Sequence, residues 1–385
     1  MMTTEHFDII VIGTGGVGSS ALFHSAKRGA KVLGLDRFPP AHDRGSSHGQ
    51  TRLIRQAYFE HPDYVPLLLR AYELWEELQS GFEEQLYFET GVLEAGPVDG
   101  ELVPGVLQSA AEHDLDVEHL TPHEAHARWP QYWIPEHYGV VFERRAGFLM
   151  VERCVQAHLD GAIQAGATIR TGVEVQGWQP FGSHPQQGYA VTVDGQLISA
   201  DKLIIAAGAW SPTLLPDIAG KFQILRKPLH WFAADENIYG TDTGCPSFLF
   251  EVPEGHFYGF TAHDGRGVKA AKHSGGGVVA DPLNVDRSLD ESERGEVQNF
   301  LRRYLPDVDA DRPEDHTVCM YTMSPDSHFV IDRLKLFPGV AFACGLSGHG
   351  FKFTSAIGEL LALLALDENV PYQLDLFAAD RFESG

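Results

Sequence analysis

Three glycines near the start of the chain have the spacing of a nucleotide-binding turn. Gly13, Gly15 and Gly18 form a Gly-x-Gly-x-x-Gly pattern directly after the apolar run at residues 6–11. Such glycines let the backbone approach a pyrophosphate, and the N-terminus of the following helix favours the phosphate charge. Asp36 ends the next apolar run, where a carboxylate can accept hydrogen bonds from a ribose. The pattern predicts a dinucleotide-binding βαβ unit but does not distinguish NAD from FAD.

Cationic side chains are concentrated shortly after this unit. Residues 45–55 read Gly-Ser-Ser-His-Gly-Gln-Thr-Arg-Leu-Ile-Arg and contain His48, Arg52 and Arg55. Arginine offers a planar fork of donors that suits a carboxylate or the electron-rich pyrimidine edge of a flavin. The alternative interpretation is a solvated surface ion pair with an acid of the following segment, such as Glu60.

Two further groups of residues are ambiguous when they are considered alone. Lys269 and His273 are four residues apart in a basic, Gly-rich patch, which could equally be a surface strand with its turn. The four cysteines have no Cys-x-x-Cys spacing, so neither a disulfide framework nor a zinc site is indicated. Cys319 alone would be read as a small buried hydrophobic residue.

Taken together, these motifs resemble those of the monomeric sarcosine oxidase and N-methyltryptophan oxidase family of flavoproteins. The resemblance covers nearly the full chain, and Cys319 opens the run Cys-x-Tyr-Thr-x-Ser-Pro-Asp-x-His-Phe-x-Ile-Asp. Four segments carry it: residues 45–55 with Tyr58, residues 258–259 with Lys269 and His273, residues 319–332, and residues 345–353. In such enzymes the 8α-methyl carbon of FAD is attached to a cysteine, so the resemblance implies FAD bound covalently through Cys319. One departure is Ser47-His48-Gly49-Gln50, where the family usually has His-His-Gly-Asp.

The family also implies a role for each matching residue. Arg52 and His48 would lie beside the flavin ring and assist its attachment, and Lys269 would promote the reaction of reduced flavin with O2. His273 would lie near the substrate amine, and Tyr258 would form an aromatic wall. The substrate carboxylate would bind the pair Arg55 and Lys352. The predicted contacts of FAD are Gly13, Gly15, Gly18, Asp36, Ser46, Thr51, Val173, Cys319, Gly348 and Gly350.

The activity that the resemblance implies is oxidation of an N-methylated amino acid. The secondary amine would become an imine that hydrolyses, while O2 is reduced to H2O2. Residues 345–350 and 272–276 lean slightly toward the N-methyltryptophan branch, and sarcosine or a cyclic imino acid such as pipecolate stay open. Other interpretations are a flavin-dependent amine dehydrogenase with a non-O2 acceptor, a flavin-binding protein without turnover and, less favoured, an NAD-linked dehydrogenase.

The composition limits the partners of the protein. The formal net charge is −24, which argues against binding nucleic acid or an anionic membrane surface, because both depend on clustered Lys and Arg. An anionic substrate therefore needs local positive charge, which Arg55 and Lys352 would supply. The N-terminal segment has no basic region followed by a long apolar run. We expect a monomeric cytoplasmic protein whose partners are a small N-methyl amino acid and O2.

The elements that must position these residues follow from hydrophobic periodicity. We predict an α/β fold with a discontinuous, Rossmann-like FAD-binding domain at residues 1–87, 148–221 and 319–385. A substrate domain dominated by antiparallel sheet would take residues 88–147 and 222–318. Helices are expected at residues 19–28, 64–79, 101–113, 152–165 and 354–366. Strands are expected at residues 6–11, 30–35, 91–95, 167–175, 189–193, 197–200, 202–208 and 340–344, with antiparallel strands throughout 222–318.

Overall fold

The computed structural model describes residues 5–181, 188–215 and 218–382. Its strands are β1 His6–Ile12, β2 Val32–Leu35, β3 Thr51–Ile54, β4 Tyr87–Phe88, β5 Val92–Pro97, β6 Glu118–Leu120, β7 Tyr138–Glu143, β8 Gly147–Met150, β9 Thr168–Arg170, β10 Val175–Pro180, β11 Tyr189–Val193, β12 Gln196–Ile205, β13 Gln223–Phe232, β14 Ser247–Val252, β15 Gly255–Phe260, β16 Val268–Lys272, β17 Pro313–Met323, β18 Val330–Leu334 and β19 Phe337–Cys344. Its helices are α1 Gly16–Lys27, α2 Val65–Ser80, α3 Leu102–His113, α4 Pro122–Arg128, α5 Val151–Gln164, α6 Ser211–Leu214, α7 Glu236–Tyr239, α8 Glu291–Tyr304 and α9 Thr354–Ala365.

The first large sheet has a parallel centre. β1 pairs in parallel with β2 and β12, β9 extends the sheet beyond β2, and β19 extends it beyond β12. Alternate β1 residues face opposite layers, because side chains of a strand alternate between its faces. Ile9 and Val11 pack in the core with α1, α5 and α9, whereas Ile10 and Ile12 pack in the core with β11 and β12. This doubly covered parallel sheet confirms the predicted Rossmann-like fold class.

The second large sheet has the order β17-β13-β16-β15-β14-β5-β7-β6. Its neighbouring strands are antiparallel apart from β5 and β14, which are parallel. One face packs against Phe300 and Leu301 of α8, and the other packs against Leu102, Val103 and Val106 of α3. A small sheet of order β3-β8-β4 carries the segment that contains Arg52.

Within residues 222–318 the expected antiparallel strands are interrupted by α8, a helix whose position the alternating pattern does not indicate. The carboxylate of Asp290 accepts hydrogen bonds from the backbone N–H groups of Ser292 and Glu293, which caps this helix. Acidic residues in the first turn and Arg302 and Arg303 in the last turn complement the helix dipole. Residues at helical spacing, from Val297 to Tyr304, face the core. The expected strands at 197–200 and 202–208 are one continuous strand, β12, and the expected strand at 167–175 is the short β9.

The chain passes between the two large sheets several times. The first sheet takes strands from residues 6–35, 168–205 and 330–344, and the second takes strands from 92–143 and 223–323. The predicted domain boundary at 319 falls inside β17, which pairs with β13 in the second sheet. Among the described residues, no helix combines the length and the apolar composition that a bilayer span requires.

Candidate active site

A cavity of about 670 Å³ lies at the carboxyl ends of β1, β2, β12 and β19. Open parallel sheets bind their ligands in this position, outside the carboxyl ends of the strands. The opposite side of the cavity is formed by β17 and by residues 280–283. Of the predicted FAD contacts, those that line the cavity are Gly13, Gly15, Asp36, Ser46, Val173, Cys319, Gly348 and Gly350.

The first turn of the cavity requires glycine. Gly13 has φ +88°, and a Cβ there would lie 2.6 Å from the carbonyl oxygen of Ala206. A Cβ on Gly18 would lie 1.8 Å from the carbonyl oxygen of Gly13, so Gly18 closes the turn without lining the cavity. Asp36 accepts hydrogen bonds from the Thr14 backbone N–H at 2.7 Å and the Thr14 hydroxyl at 3.1 Å. This carboxylate therefore fixes the turn and still faces the cavity.

The shape and lining of the cavity fit FAD. The glycine turn and the N-terminus of α1 provide a phosphate cradle beside Asp36, and the far end reaches Cys319. Its volume falls within the usual range for cofactor pockets, which is roughly 300–1,000 Å³.

Cys319 lies on β17 against a positive charge. Nη2 of Arg52 donates to the sulfur at 3.3 Å and to the carbonyl oxygen of Ser46 at 3.0 Å. Cys319 pairs across the strands with Lys227 of β13, a second cation. Cys344 also lines the cavity, but burial raises the pKa of its thiol to about 12. The structure therefore presents two thiols to the cavity, of which Cys319 has the guanidinium contact.

Lys269, His48 and Thr51 lie beside the cavity wall without lining it. Nζ of Lys269 donates to Gly49 O at 2.5 Å, Thr51 O at 2.9 Å and Thr51 Oγ1 at 3.1 Å. Burial, and then the charge of Arg52, hold the pKa of Lys269 well below its usual value. Burial is also the main cause that lowers the pKa of His48 to about 3, so this imidazole is neutral. The roles that the resemblance implies for these residues stay predictions.

A smaller cavity of about 60 Å³ adjoins the first one, since Arg52, Tyr321, Gly348 and Phe351 line both. It brings together five residues that the sequence predicts for substrate binding and catalysis. These residues are Arg52 of β3, Arg55 directly after β3, Tyr258 of β15, His273 directly after β16 and Lys352 in the turn after β19.

Two buried cations lie at one end of this small cavity. Lys352 donates to His349 O at 2.8 Å and to the Tyr58 hydroxyl at 3.4 Å, and burial, followed by the charge of Arg55, lowers its pKa to about 7. Nη2 of Arg55 lies 2.9 Å from the carboxylate of Glu60. The ion pair of Arg55 with Glu60 therefore exists, but Arg55 is only 3% exposed, so the solvated-surface interpretation is wrong.

The other end of the small cavity is aromatic. Nδ1 of His273 lies 3.3 Å from the Tyr321 hydroxyl, and the Tyr258 ring is 6.3 Å from the His273 ring. Burial, and then the charge of Lys227, hold the pKa of His273 well below its usual value, so the imidazole is neutral. Lys227 donates to His273 O at 2.5 Å and to the next two carbonyl oxygens, which fixes the backbone at this residue.

Sequence reasoning assigned no role to Tyr321 or Glu94, and it considered Glu60 only as a surface ion-pair partner, whereas all three belong to this site. Tyr321 lines both cavities and stands in the quoted Cys-x-Tyr motif, which was a usable signal. Glu94 lies 3.0 Å from Nε of Arg55, and nothing in the apolar strand around it indicates that contact. Within the described residues, no group of three or more His, Cys, Asp or Glu side chains is arranged to hold a metal ion.

The site can therefore hold an amino acid next to a flavin. Cations at one end of the small cavity suit a carboxylate, while a neutral imidazole and aromatic rings at the other end suit an amine with apolar substituents. The shared lining residues place the small cavity directly beside the larger one.

Comparison with known proteins agrees with this geometry. The family model described as FAD dependent oxidoreductase (DAO) matches residues 8–364. Monomeric sarcosine oxidase from Arthrobacter sp. (strain TE1826) is 37% identical over 99% of this chain and 98% of its own. N-methyl-L-tryptophan oxidase from Yersinia pestis (strain Pestoides F) is also 37% identical, over 98% of this chain and 99% of its own.

Solved structures show the same fold at lower identity. The open form of NikD, described as an unusual amino acid oxidase essential for nikkomycin biosynthesis, has a TM-score of 0.84 and 24% identity. That superposition covers 97% of this chain and 98% of the NikD chain. The chain therefore belongs to the DAO family of FAD-dependent oxidoreductases, in the group of the monomeric sarcosine oxidases and N-methyl-L-tryptophan oxidases.

Proposed function

We propose that this protein is an FAD-dependent oxidase of N-methylated amino acids. The substrate amine loses two electrons and two protons to become an imine, which water hydrolyses, and O2 is reduced to H2O2. FAD supplies the two-electron acceptor for the amine and returns the electrons to O2. The observation that carries the proposal is the buried pair Arg55 and Lys352 in a small cavity that shares its wall with the FAD cavity.

In this proposal the protein residues bind and orient the substrate. Arg55 and Lys352 bind the carboxylate, which directs the amine toward Tyr321 and His273. A neutral His273 does not repel a substrate amine and offers a ring nitrogen to its N–H group. Tyr258 and Phe351 exclude water from the apolar part of the cavity.

The size of the small cavity favours a short substrate. One water molecule needs about 10–15 Å³ of such space, so a cavity of about 60 Å³ accommodates only a few heavy atoms. We therefore place sarcosine before N-methyltryptophan, opposite to the slight lean of residues 272–276 and 345–350. Pipecolate is intermediate in size.

A substrate panel tests this proposal. Oxygen consumption and peroxide formation should be clear with sarcosine and weak with N-methyltryptophan, and dimethylamine, which lacks a carboxylate, should give almost none. The Arg55→Ala and Lys352→Ala variants should each raise KM for sarcosine by more than about tenfold, the usual scale for one partner of a desolvated ion pair. Flavin reduction by sarcosine without oxygen consumption would instead favour the amine dehydrogenase.

We further propose that the FAD is bound as a thioether through Cys319, because Arg52 places its charge on that sulfur. Acid-precipitated wild-type protein should then remain yellow, and Cys319→Ala should release free FAD on denaturation. Cys344→Ala is the matched control, since Cys344 lines the same cavity, and it should keep the flavin attached. A colourless pellet from flavin-replete wild type contradicts the attachment, and loss of attachment only in Cys344→Ala reassigns it.

We also propose that the enzyme acts as a monomer, because the sarcosine oxidases that it resembles are named monomeric. Light scattering coupled to size-exclusion chromatography measures the mass directly. A mass near 42.4 kDa is expected, and twice that value contradicts the proposal. The cytoplasmic location stays a prediction.

A further inference from the structure

A single carboxylate interrupts an apolar row of side chains across the second sheet. Glu94 of β5 pairs with Leu249 of β14 and Val141 of β7, and the row continues through Tyr258 and Ala271. Directly paired residues direct their side chains to the same face. The other four belong to one buried apolar cluster, and Glu94 is 0% exposed. The row faces the small cavity, which Leu249 and Tyr258 line.

The burial of Glu94 is unfavourable by itself. Among the described residues, neither of its carboxylate oxygens has a hydrogen bond of good geometry. A buried carboxylate without full hydrogen bonding is costly, whereas a leucine would match the row at no such cost. The presence of a carboxylate here therefore needs an explanation other than packing.

The group that Glu94 approaches is the guanidinium of Arg55. Oε1 of Glu94 lies 3.0 Å from Nε of Arg55, and Oε2 of Glu60 lies 2.9 Å from Nη2. The two carboxylates are held differently, because Glu94 lies on a strand paired on both sides, whereas Glu60 lies in a loop with its side chain 16% exposed. Glu94 is thus the partner held by the sheet on the Nε edge, and Glu60 is the partner that a substrate carboxylate would replace.

Four charged groups from the packed elements act on Glu94: Arg55, Glu60, Glu143 and Lys352. Burial has the largest effect on the pKa of Glu94 and outweighs the attraction of Arg55. Burial and the repulsion of Glu143 and Glu60 together raise the pKa of Glu94 to about 8. Glu94 is therefore neutral at low pH, where its oxygen can still face Nε, and becomes anionic as the pH rises through about 8.

We propose that Glu94 is a positioning residue of the carboxylate site, which fixes the Nε edge of Arg55 and weakens the binding of anionic substrates when it ionises. The fixed Nε edge leaves the two Nη atoms to face the substrate. The inference rests on the proposed function in one respect, namely that Arg55 binds the substrate acid.

Acetate binding to the holoenzyme tests the positioning role, and calorimetry measures it without turnover. At about pH 6.5 Glu94 is protonated, so Glu94→Gln keeps both the charge and an oxygen toward Arg55. This variant should bind acetate within about twofold of wild type, but Glu94→Leu should bind roughly tenfold more weakly, the scale of one lost contact to a charged group. Equal affinity of the two variants would overturn the positioning role.

The effect of ionisation is tested by the ratio of the acetate Kd values of wild type and Glu94→Gln as the pH rises. Lys352 titrates in the same range and the charge of Glu94 raises its pKa, so the ratio is measured a second time with Lys352→Met in both proteins, which removes that group. The ratio should be near one at about pH 6.5 and rise as Glu94 ionises, because only the protein that keeps Glu94 gains a carboxylate charge beside Arg55. A flat ratio would overturn the inference.

A second variant keeps the inference testable if Glu94→Gln does not fold. In Lys352→Met the affinity for acetate should still fall as the pH rises, since Glu94 is intact. The fall should begin at a higher pH than in wild type, because the charge of Lys352 lowers the pKa of Glu94 and is absent in this variant. A profile that stays flat at every pH at which the protein is folded would contradict the role of Glu94. Acetate has no amine to oxidise, so the outcome is independent of whether N-methyl amino acids are turned over.

Discussion

Lys269 is a buried cation whose amine is held by backbone and side-chain oxygens. Its amine donates three hydrogen bonds to oxygens of Gly49 and Thr51, which fix it beside Arg52. No donor of this amine is then left for a substrate carboxylate. Because burial lowers the pKa of Lys269, its charge is present at low pH and is lost as the pH rises through the lowered value. We propose that this cation lies near the flavin, where a fixed positive charge would stabilise the negative charge that develops on O2.

We predict that Lys269→Met lowers the rate constant of flavin reoxidation by O2 by a factor of about 10²–10³. A loss of this size is usual when one preorganised charged group is removed. Reduction by substrate should change much less. Anaerobic mixing with substrate measures reduction, and a second mixing with oxygen measures reoxidation. Reoxidation by wild type should also slow as the pH rises, because the charge is then lost, and the variant should not show this dependence.

A matched control for this prediction is Arg266→Met. The Arg266 guanidinium lies 4.5 Å from the Trp231 ring, and Nζ of Lys269 lies 5.3 Å from the same ring. Arg266 is partly exposed and pairs with Asp264, so its removal should leave both half-reactions near wild type. Equal losses of both half-reactions in Lys269→Met would mean that Lys269 shapes the pocket. A loss confined to reduction would make it a substrate residue.

The turn after β19 is the element that closes the flavin end of the site. Gly348 has φ +85°, and a Cβ there would lie 2.2 Å from the Tyr321 ring. Tyr321 lines both cavities, so the turn and the substrate site are in direct contact. The sequence shows the glycines of this turn, but it does not show which side chain fills the space that they leave.

We predict that Gly348→Ala lowers both the FAD content of the purified protein and its affinity for acetate, because Tyr321 must move. The ratio of flavin to protein absorbance and an acetate titration measure the two effects. Gly265→Ala is the control, since Gly265 has φ +82° but a Cβ there would meet nothing within 4 Å. If both variants lose FAD equally, backbone strain and not the contact with Tyr321 is responsible.

The helices show what periodicity can and cannot predict. The helices α1, α2, α5 and α9 are predictable to within a few residues, because apolar residues recur along each of them and pack into one buried cluster. Periodicity did not predict α8, although Asp290 and the spacing of Val297, Phe300 and Leu301 are usable signals. The alternating strands on both sides of α8 dominate the pattern of residues 222–318.

The candidate site was predictable to the extent that its residues stand in motifs. Arg55 and Lys352 are far apart in the chain, and only the resemblance to a family linked them before the fold brought them together. Glu94 could not be found in this way. Its role depends on cross-strand register and on a contact with Arg55, and neither leaves a local pattern in the sequence.

An ion-pair network connects helices from the N-terminal and C-terminal parts of the chain. Glu359 of α9 lies 2.9 Å from Nε of Arg70 on α2 and 3.3 Å from Nη2 of Arg28 at the end of α1. The Glu359 side chain is only 10% exposed, whereas Glu73, a second partner of Arg70, is 63% exposed. The network therefore has one buried carboxylate that links three helices.

We predict that Glu359→Gln lowers the free energy of unfolding by about 1–3 kcal/mol. This loss is smaller than the loss caused by removing one partner of a fully buried ion pair, because Arg28 and Arg70 are partly solvated. Glu73→Gln should change it by less than about 0.5 kcal/mol. Burial opposes ionisation of Glu359, but the hydrogen bond and charge of Arg70 prevail and lower its pKa. Its contribution is therefore present above the usual glutamate pKa and is lost as the pH falls through the lowered value.

Urea unfolding of the holoenzyme at neutral and acidic pH measures these effects. The difference between wild type and Glu359→Gln should shrink in acid, where both side chains are neutral. Identical losses in Glu359→Gln and Glu73→Gln would show that burial does not distinguish the two carboxylates.

The order of strands in the first sheet also constrains when the protein can acquire its cofactor. β1 and β2 emerge from the ribosome first, but β1 pairs with β12, and β12 pairs with β19 near the end of the chain. The glycine turn after β19, which forms one wall of the FAD cavity, follows later still. A nascent chain therefore carries the phosphate-binding turn long before it has a cavity to hold a flavin. FAD loading must consequently follow synthesis of the turn after β19. Until β12 is made, the edge of β1 is unpaired, and from then until β19 is made, the edge of β12 is unpaired, so each edge is in turn exposed to aggregation.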